Sequence, residues 1–115
     1  NTFFQAVFDG RLLTQASIDE MKNGAVDASS YLGPGTVYGL GLIGTPLSCG
    51  GTSWGHGGTI HGYQTDNAVG PDGTAVTVAV TALPTAIADQ NNLESSAKEK
   101  IGKVNEAVDA TLCHK

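Results

Sequence analysis

Between Leu93 and Leu112 the apolar residues Leu93, Ala97, Ile101, Val104, Val108 and Leu112 step by four, four, three, four and four. That spacing gathers them into one stripe along a single helix, with Glu94, Lys98, Glu106 and Asp109 elsewhere on it. A helix predicted over 89–113 therefore carries a long apolar face that needs a sheet to cover.

The sheet is written just upstream. From Thr74 to Leu83 the residues alternate, Val76, Val78 and Val80 on one side and Thr77, Ala79 and Thr81 on the other, the pattern of a half-buried strand that Pro84 ends. Thr59 to Asp66 reads as a second strand, and Pro71-Asp72-Gly73 as the turn joining the two into an antiparallel hairpin. Thr36 to Ile43 reads as a third. There Gly39 and Gly41 leave one face bare, so either something approaches it closely or the strand twists. Gly44 to Ser53 reads as a loop.

At the start of the chain Phe3, Phe4, Val7 and Phe8 recur at helical spacing up to Asp9-Gly10. Thr14 can cap a second helix over Gln15 to Lys22, with Ile18 and Met21 facing inward and Asn23-Gly24 as its stop. The expected architecture is α+β: short helices in 1–23, antiparallel strands in 36–83 and a covering helix in 89–113, all in one piece of 115 residues. The chain begins at Asn1 and enters its first helical pattern with little lead-in, which predicts a piece of a larger fold.

A formal net charge of −5, with no basic cluster beyond Lys98, Lys100 and Lys103, argues against a nucleic-acid partner. No apolar run has the length of a membrane span. The two cysteines, Cys49 and Cys113, fit one disulfide in a secreted protein or two buried thiols in a cytosolic one, and their count does not choose.

The chemistry gathers at Trp54-Gly55-His56-Gly57-Gly58-Thr59. Glycines at a strand entry let a ligand or another backbone lie against the main chain. A strand edge with free N–H groups can pair with an extended peptide or donate to a developing oxyanion. The plainer alternative is a glycine-rich strand entry in which His56 packs or hydrogen-bonds. Trp54 either lines a cleft or fills the core under this segment, and His61 is a strand side chain near the cleft or in solvent. Asp66, Asp72 and Asp89 read as turn or helix-start residues. His56, His61 and Cys49 fit no common closed zinc site, so neither a metal nor another cofactor is expected.

The order of these features resembles the C-terminal region of the serine D-Ala-D-Ala carboxypeptidases and class C β-lactamase-like hydrolases, the penicillin-binding protein family. That family carries a Lys/His-Thr/Ser-Gly box on an edge strand, followed by a hairpin, another strand and a long last helix. The box falls on His56-Gly57-Gly58. Secreted members with a His box also carry one cysteine just before it and another near the end of the last helix, as Cys49 and Cys113 do here, so the resemblance implies a disulfide. By that pairing the chain is secreted or lies in the cell envelope.

The resemblance implies catalytic-site roles for His56, Gly57, Gly58 and Thr59. His56 would supply polar or positive character near a substrate carboxylate, Gly57 and Gly58 close approach of an acyl group, and Thr59 an oxyanion-hole N–H. Trp54 and His61 would be substrate-binding. Gly57 stands where the family has Thr or Ser, which removes a carboxylate-binding hydroxyl and opens the specificity to esterase, amidase or aminopeptidase chemistry.

The family's nucleophile motif Ser-x-x-Lys is matched only by Ser95 and Lys98, a chance match on the last helix. Tyr-x-Asn is absent: Tyr31, Tyr38 and Tyr63 are followed two residues later by Gly33, Leu40 and Thr65. The implied partner is thus an N-terminal part of the same enzyme carrying both motifs, with a peptide, ester or β-lactam as substrate. This chain alone is predicted inactive and prone to dimerise or exchange strands through its uncovered edge. The competing reading is a non-catalytic secreted module that binds extended peptides.

Overall fold

The computed structural model of the chain describes residues 1–81 and 89–114, apart from the side chains of Glu94, Ala97 and Lys98. Leu83, Pro84 and the Ala97 step of the apolar stripe therefore lie outside what it describes. Helices α1 (Thr2–Phe8) and α2 (Gln15–Asn23) form where the spacing predicts them. Thr14 sits in extended backbone before α2, and its hydroxyl oxygen accepts the Ser17 N–H at 3.3 Å, satisfying a donor that the first turn leaves unpaired. Ala6, Val7 and Ile18 bury the inner side of this pair.

Among the described residues six strands follow, with one short helix, α3 (Ser29–Leu32), between the first two. They are β1 (Val26–Asp27), β2 (Val37–Tyr38), β3 (Ile43–Pro46), β4 (Thr52–Ile60), β5 (Tyr63–Val69) and β6 (Ala75–Val80). Their order in the sheet is their order in the chain, and each pairs antiparallel with the next. A 3₁₀ turn at Gln90–Asn92, capped by Asp89 accepting the Asn91 N–H, leads into α4 (Leu93–Cys113). The architecture is the α+β arrangement that the patterns predict.

Two strand boundaries differ from the sequence reading, each for a local reason. Thr36 to Ile43 is not one strand but the hairpin of β2 and β3. The Gly39 N–H donates to the Leu42 carbonyl at 2.7 Å, the Leu40 N–H donates to Met21 O at 2.9 Å, and Gly41 adopts φ 70°. A Cβ on Gly39 would collide with the Met21 carbonyl. The alternating glycines thus mark a turn pressed against the end of α2, not a strand with a bare face.

The second difference lies around the box. β4 already begins at Thr52, inside the segment expected to be loop, and ends at Ile60. His61 and Gly62, the latter at φ 81°, turn the chain into β5, so Thr59 to Asp66 is a hairpin tip. A glycine-rich strand has too little side-chain alternation to declare its own limits; its pairing partners set them.

α4 lies across β5 and β6. Leu47, Ala68, Val76, Val108 and Leu112 form one buried cluster, with Val78 and Cys113 packed against it. Burying side chains such as Val108 and Leu112 contributes about 1.5–3 kcal/mol each. Among the described residues of the stripe, only those of the C-terminal half are used in this way. Val104, Val108 and Leu112 are buried, whereas Ile101 stays 39% and Leu93 44% exposed.

The Cys49–Cys113 disulfide forms, with Cα atoms 5.6 Å apart, and spans 64 positions. It ties the loop between β3 and β4 to the last turn of α4. No helix among the described residues is long and apolar enough to cross a membrane.

Candidate active site

The register of β3 on β4 decides the character of the box. β3 pairs with β4 only from Thr52 to Gly55, where Gly55 faces Ile43. From His56 to Ile60 β4 pairs with β5 on one side, and among the described residues no strand pairs its other side. Successive residues of a strand point their backbone groups alternately to either side, so alternate N–H and C=O groups of this stretch face the open edge. His56, Gly57, Gly58 and Thr59 thus sit together on a free strand edge.

The glycines before that edge serve the sheet itself. A Cβ on Gly55 would collide with the carbonyl of Asn67 on β5, and a Cβ on Gly57 would lie 2.8 Å from the Thr65 carbonyl. β4 therefore presses more closely on β5 than any residue with a side chain allows. Gly58 is looser, its nearest neighbour the Thr65 hydroxyl at 3.4 Å.

His56 is half-buried and fixed from two sides. Its Nδ1 lies 2.6 Å from the Gly57 carbonyl oxygen and its Nε2 lies 2.8 Å from the Tyr38 hydroxyl. The Tyr38 and His56 rings meet edge-on, 5.8 Å between centroids at 85°. Asn67, directly across on β5, donates its side-chain N–H to the His56 carbonyl at 3.1 Å and so braces the strand at this residue. Asp66, across from Gly57, has its carboxyl pushed up by burial, an effect opposed by the Asn67 backbone N–H and by His56.

The box opens into a cleft of about 1150 Å³. Gly55 to Thr59 line it from β4, Tyr38 and Ile43 from β2 and β3, and Ile101 and Val108 from α4. Its lining is mainly apolar, with polar side chains from the box and from β5 and α4 around it, as in sites that hold organic ligands. The half-exposed Ile101 on α4 is one of its walls.

Of the other residues singled out in the sequence, Asp66 lines the cleft from within β5 and not from a turn, while Trp54 and His61 lie apart from it. Trp54 is half-buried under α2, with Lys22 Nζ 5.3 Å from the ring and the Gly44 backbone packed on its far edge. Burial also lowers the Lys22 pKa, with Asp19 opposing. His61 is exposed at the hairpin tip. The structure brings His56, Gly57, Gly58 and Thr59 together and places Trp54 and His61 elsewhere. Ser95 is exposed in the first turn of α4, on a helix remote in sequence from the box. Among the described residues no three His, Cys, Asp or Glu side chains converge as a metal site would require.

Tyr38 is a site residue that sequence reasoning misses. It stands 18 positions before His56 and looks like ordinary strand bulk; only the short reach of β3 lets it meet the imidazole.

A meander of antiparallel strands, a long helix fastened across one face and a glycine-rich box on a free strand edge make up part of a β-lactamase/transpeptidase-like fold, that of the penicillin-interacting serine hydrolases. The chain is similar to the crystal structure of a D-stereospecific amidohydrolase from Streptomyces sp., with a TM-score of 0.61 and 40% sequence identity over 70% of this chain. It spans 24% of that protein's length. No protein-family model matches the chain.

Proposed function

We propose that this chain is the box-bearing part of a secreted or envelope serine hydrolase that works by acyl transfer, through a serine outside these 115 residues. The observation that carries this reading is the placement of His56, Gly57, Gly58 and Thr59 on an unpaired strand edge that opens into an apolar cleft. In that role the Thr59 N–H would contribute to the oxyanion hole, and the edge would align an extended acyl donor. His56 would stand beside the leaving group or the substrate carboxylate.

The substrate class best supported is an amide of a D-amino acid. The 40% identical neighbour is a D-stereospecific amidohydrolase. Gly57 fits the same choice, because a box without a hydroxyl has no side-chain donor for the terminal carboxylate that a carboxypeptidase must hold. Esters and D-alanyl-D-alanine peptides are the neighbouring alternatives. The disulfide favours an oxidising compartment.

The test uses the full gene product. It should take up a fluorescent penicillin or acyl phosphonate covalently and hydrolyse D-amino-acid amides faster than their L-enantiomers. If it is never labelled and cleaves neither amides nor esters, the edge is a peptide-binding surface and the hydrolase reading fails.

A further inference from the structure

The geometry points to Tyr38 as the positioning residue of the box: its hydroxyl engages His56 Nε2 and, with the Gly57 carbonyl on Nδ1, fixes how the ring is oriented. This rests on the reading of His56 as a site residue, and its test is chosen to be independent of catalysis.

The Gly57 carbonyl can only accept a hydrogen bond, so at 2.6 Å His56 Nδ1 must carry a proton. In the neutral ring Nε2 is then the acceptor, and the Tyr38 hydroxyl at 2.8 Å donates to it. Both ring nitrogens are engaged, one by the backbone of the box itself and one by a side chain two strands away. The register makes this reach possible: Tyr38 pairs with Ile43, and Ile43 pairs with Gly55, the residue before His56. Because β3 stops at Ile43, nothing stands between the phenol and the imidazole beyond it.

A packing role alone does not account for Tyr38. It is 38% exposed and belongs to a two-residue strand, so its ring contributes little to the core. What it supplies is the hydroxyl, and that hydroxyl is directed at the single histidine of the cleft. The other tautomer would give up the Gly57 contact, and a rotated or flipped ring would give up both. The consequence for a substrate is a histidine presented in one orientation beside the N–H groups of the edge, the kind of pre-set geometry on which acyl transfer depends.

Nitrogen-15 NMR of the histidine-labelled protein at about pH 8 reads the tautomer directly, because protonated and unprotonated ring nitrogens have well-separated shifts. The chain has three histidines, and His56→Gln assigns the signal by its loss. The expected result is a single Nδ1–H tautomer for His56. In Tyr38→Phe, which keeps the ring and removes only the hydroxyl, the Nε2 shift should move, because that nitrogen loses its hydrogen-bond donor while the Gly57 carbonyl keeps the proton on Nδ1. In the full gene product the same variant should lower kcat by about tenfold with little change in KM.

An Nε2–H tautomer in the unsubstituted protein overturns the proposal whether or not the variant folds, and so do His56 nitrogen shifts unchanged by Tyr38→Phe. Failure of the hydrolase reading leaves the NMR result standing, so the two readings fail separately.

Discussion

Ser48 holds both carboxylate oxygens of Asp109, its backbone N–H donating to Oδ1 at 2.8 Å and its hydroxyl to Oδ2 at 2.6 Å. Ser48 lies one residue before Cys49 and Asp109 four before Cys113, so the loop leading into β4 is fastened to α4 by a covalent and a hydrogen-bonded link side by side. The box strand starts three residues after Cys49, and its position over the helix depends on this anchor.

Replacing both cysteines by serine should lower stability by roughly 4 kcal/mol, the loop-closure entropy of a cross-link of this span. Denaturant unfolding of the double variant, compared with the oxidised protein, measures it. A loss below about 1 kcal/mol would mean that the Ser48–Asp109 clasp and the packing of Leu112 hold the loop by themselves.

The clasp sets a pH dependence. Hydrogen bonds from the Ser48 side chain and backbone hold the Asp109 pKa below the usual carboxylate value. A depressed carboxylate stabilises the fold above the unfolded pKa of about 3.9, and that contribution is lost as pH falls through the folded value. Ser48→Ala should therefore flatten the acid limb of the stability profile and leave stability less changed below both values. Thermal melts between about pH 2 and 7 test the sign.

Asp66 should behave oppositely. Burial raises its pKa, so its favourable contribution is present below the unfolded value and is lost as pH rises through the folded one. Asp66→Asn should then be neutral or stabilising near pH 7 by about 1 kcal/mol or less, and should lose that advantage in acid. A variant destabilised at pH 7 would show that Asp66 has an ionic partner there.

Gly55→Ala should cost about 3 kcal/mol, because the new methyl meets the Asn67 carbonyl and β4 must move off β5. Gly58→Ala, in ordinary contact with Thr65, should stay within about 1 kcal/mol. Equal costs for the two would remove the close approach of β4 to β5 as the reason for glycine at position 55.

The two halves of the α4 stripe should respond differently. Leu112→Ala, inside the buried cluster, should cost about 3 kcal/mol by leaving a cavity. Ile101→Ala, on the half-exposed wall of the cleft, should cost less than about 1 kcal/mol in this chain. In the full gene product a larger cost at Ile101 would indicate that another segment packs on that wall.

Much of the fold is legible in the order of residues alone. The stripe on α4, the Thr14 cap, the turn at Pro71-Asp72-Gly73 and the alternation of β6 are local patterns with strong periods, and each element stands where its pattern puts it. The glycine-rich middle is not legible in this way. From Thr36 to Asp66 the chain has few bulky alternations, and its many glycines do not say by themselves which of them take the positive φ of a turn, as Gly41, Gly50, Gly51 and Gly62 do.

By itself the sequence determined the α+β class and the covering helix, and it singled out the glycine-rich segment around His56, because these follow from periodicity within one segment or from a short contiguous run. Only the tertiary structure decided that β3 stops at the box and frees its edge, that Ile101 of the helical stripe lines a cleft, and that Tyr38 reaches His56. Those facts depend on strand register and on contacts between residues distant in the chain, and no local spacing encodes them.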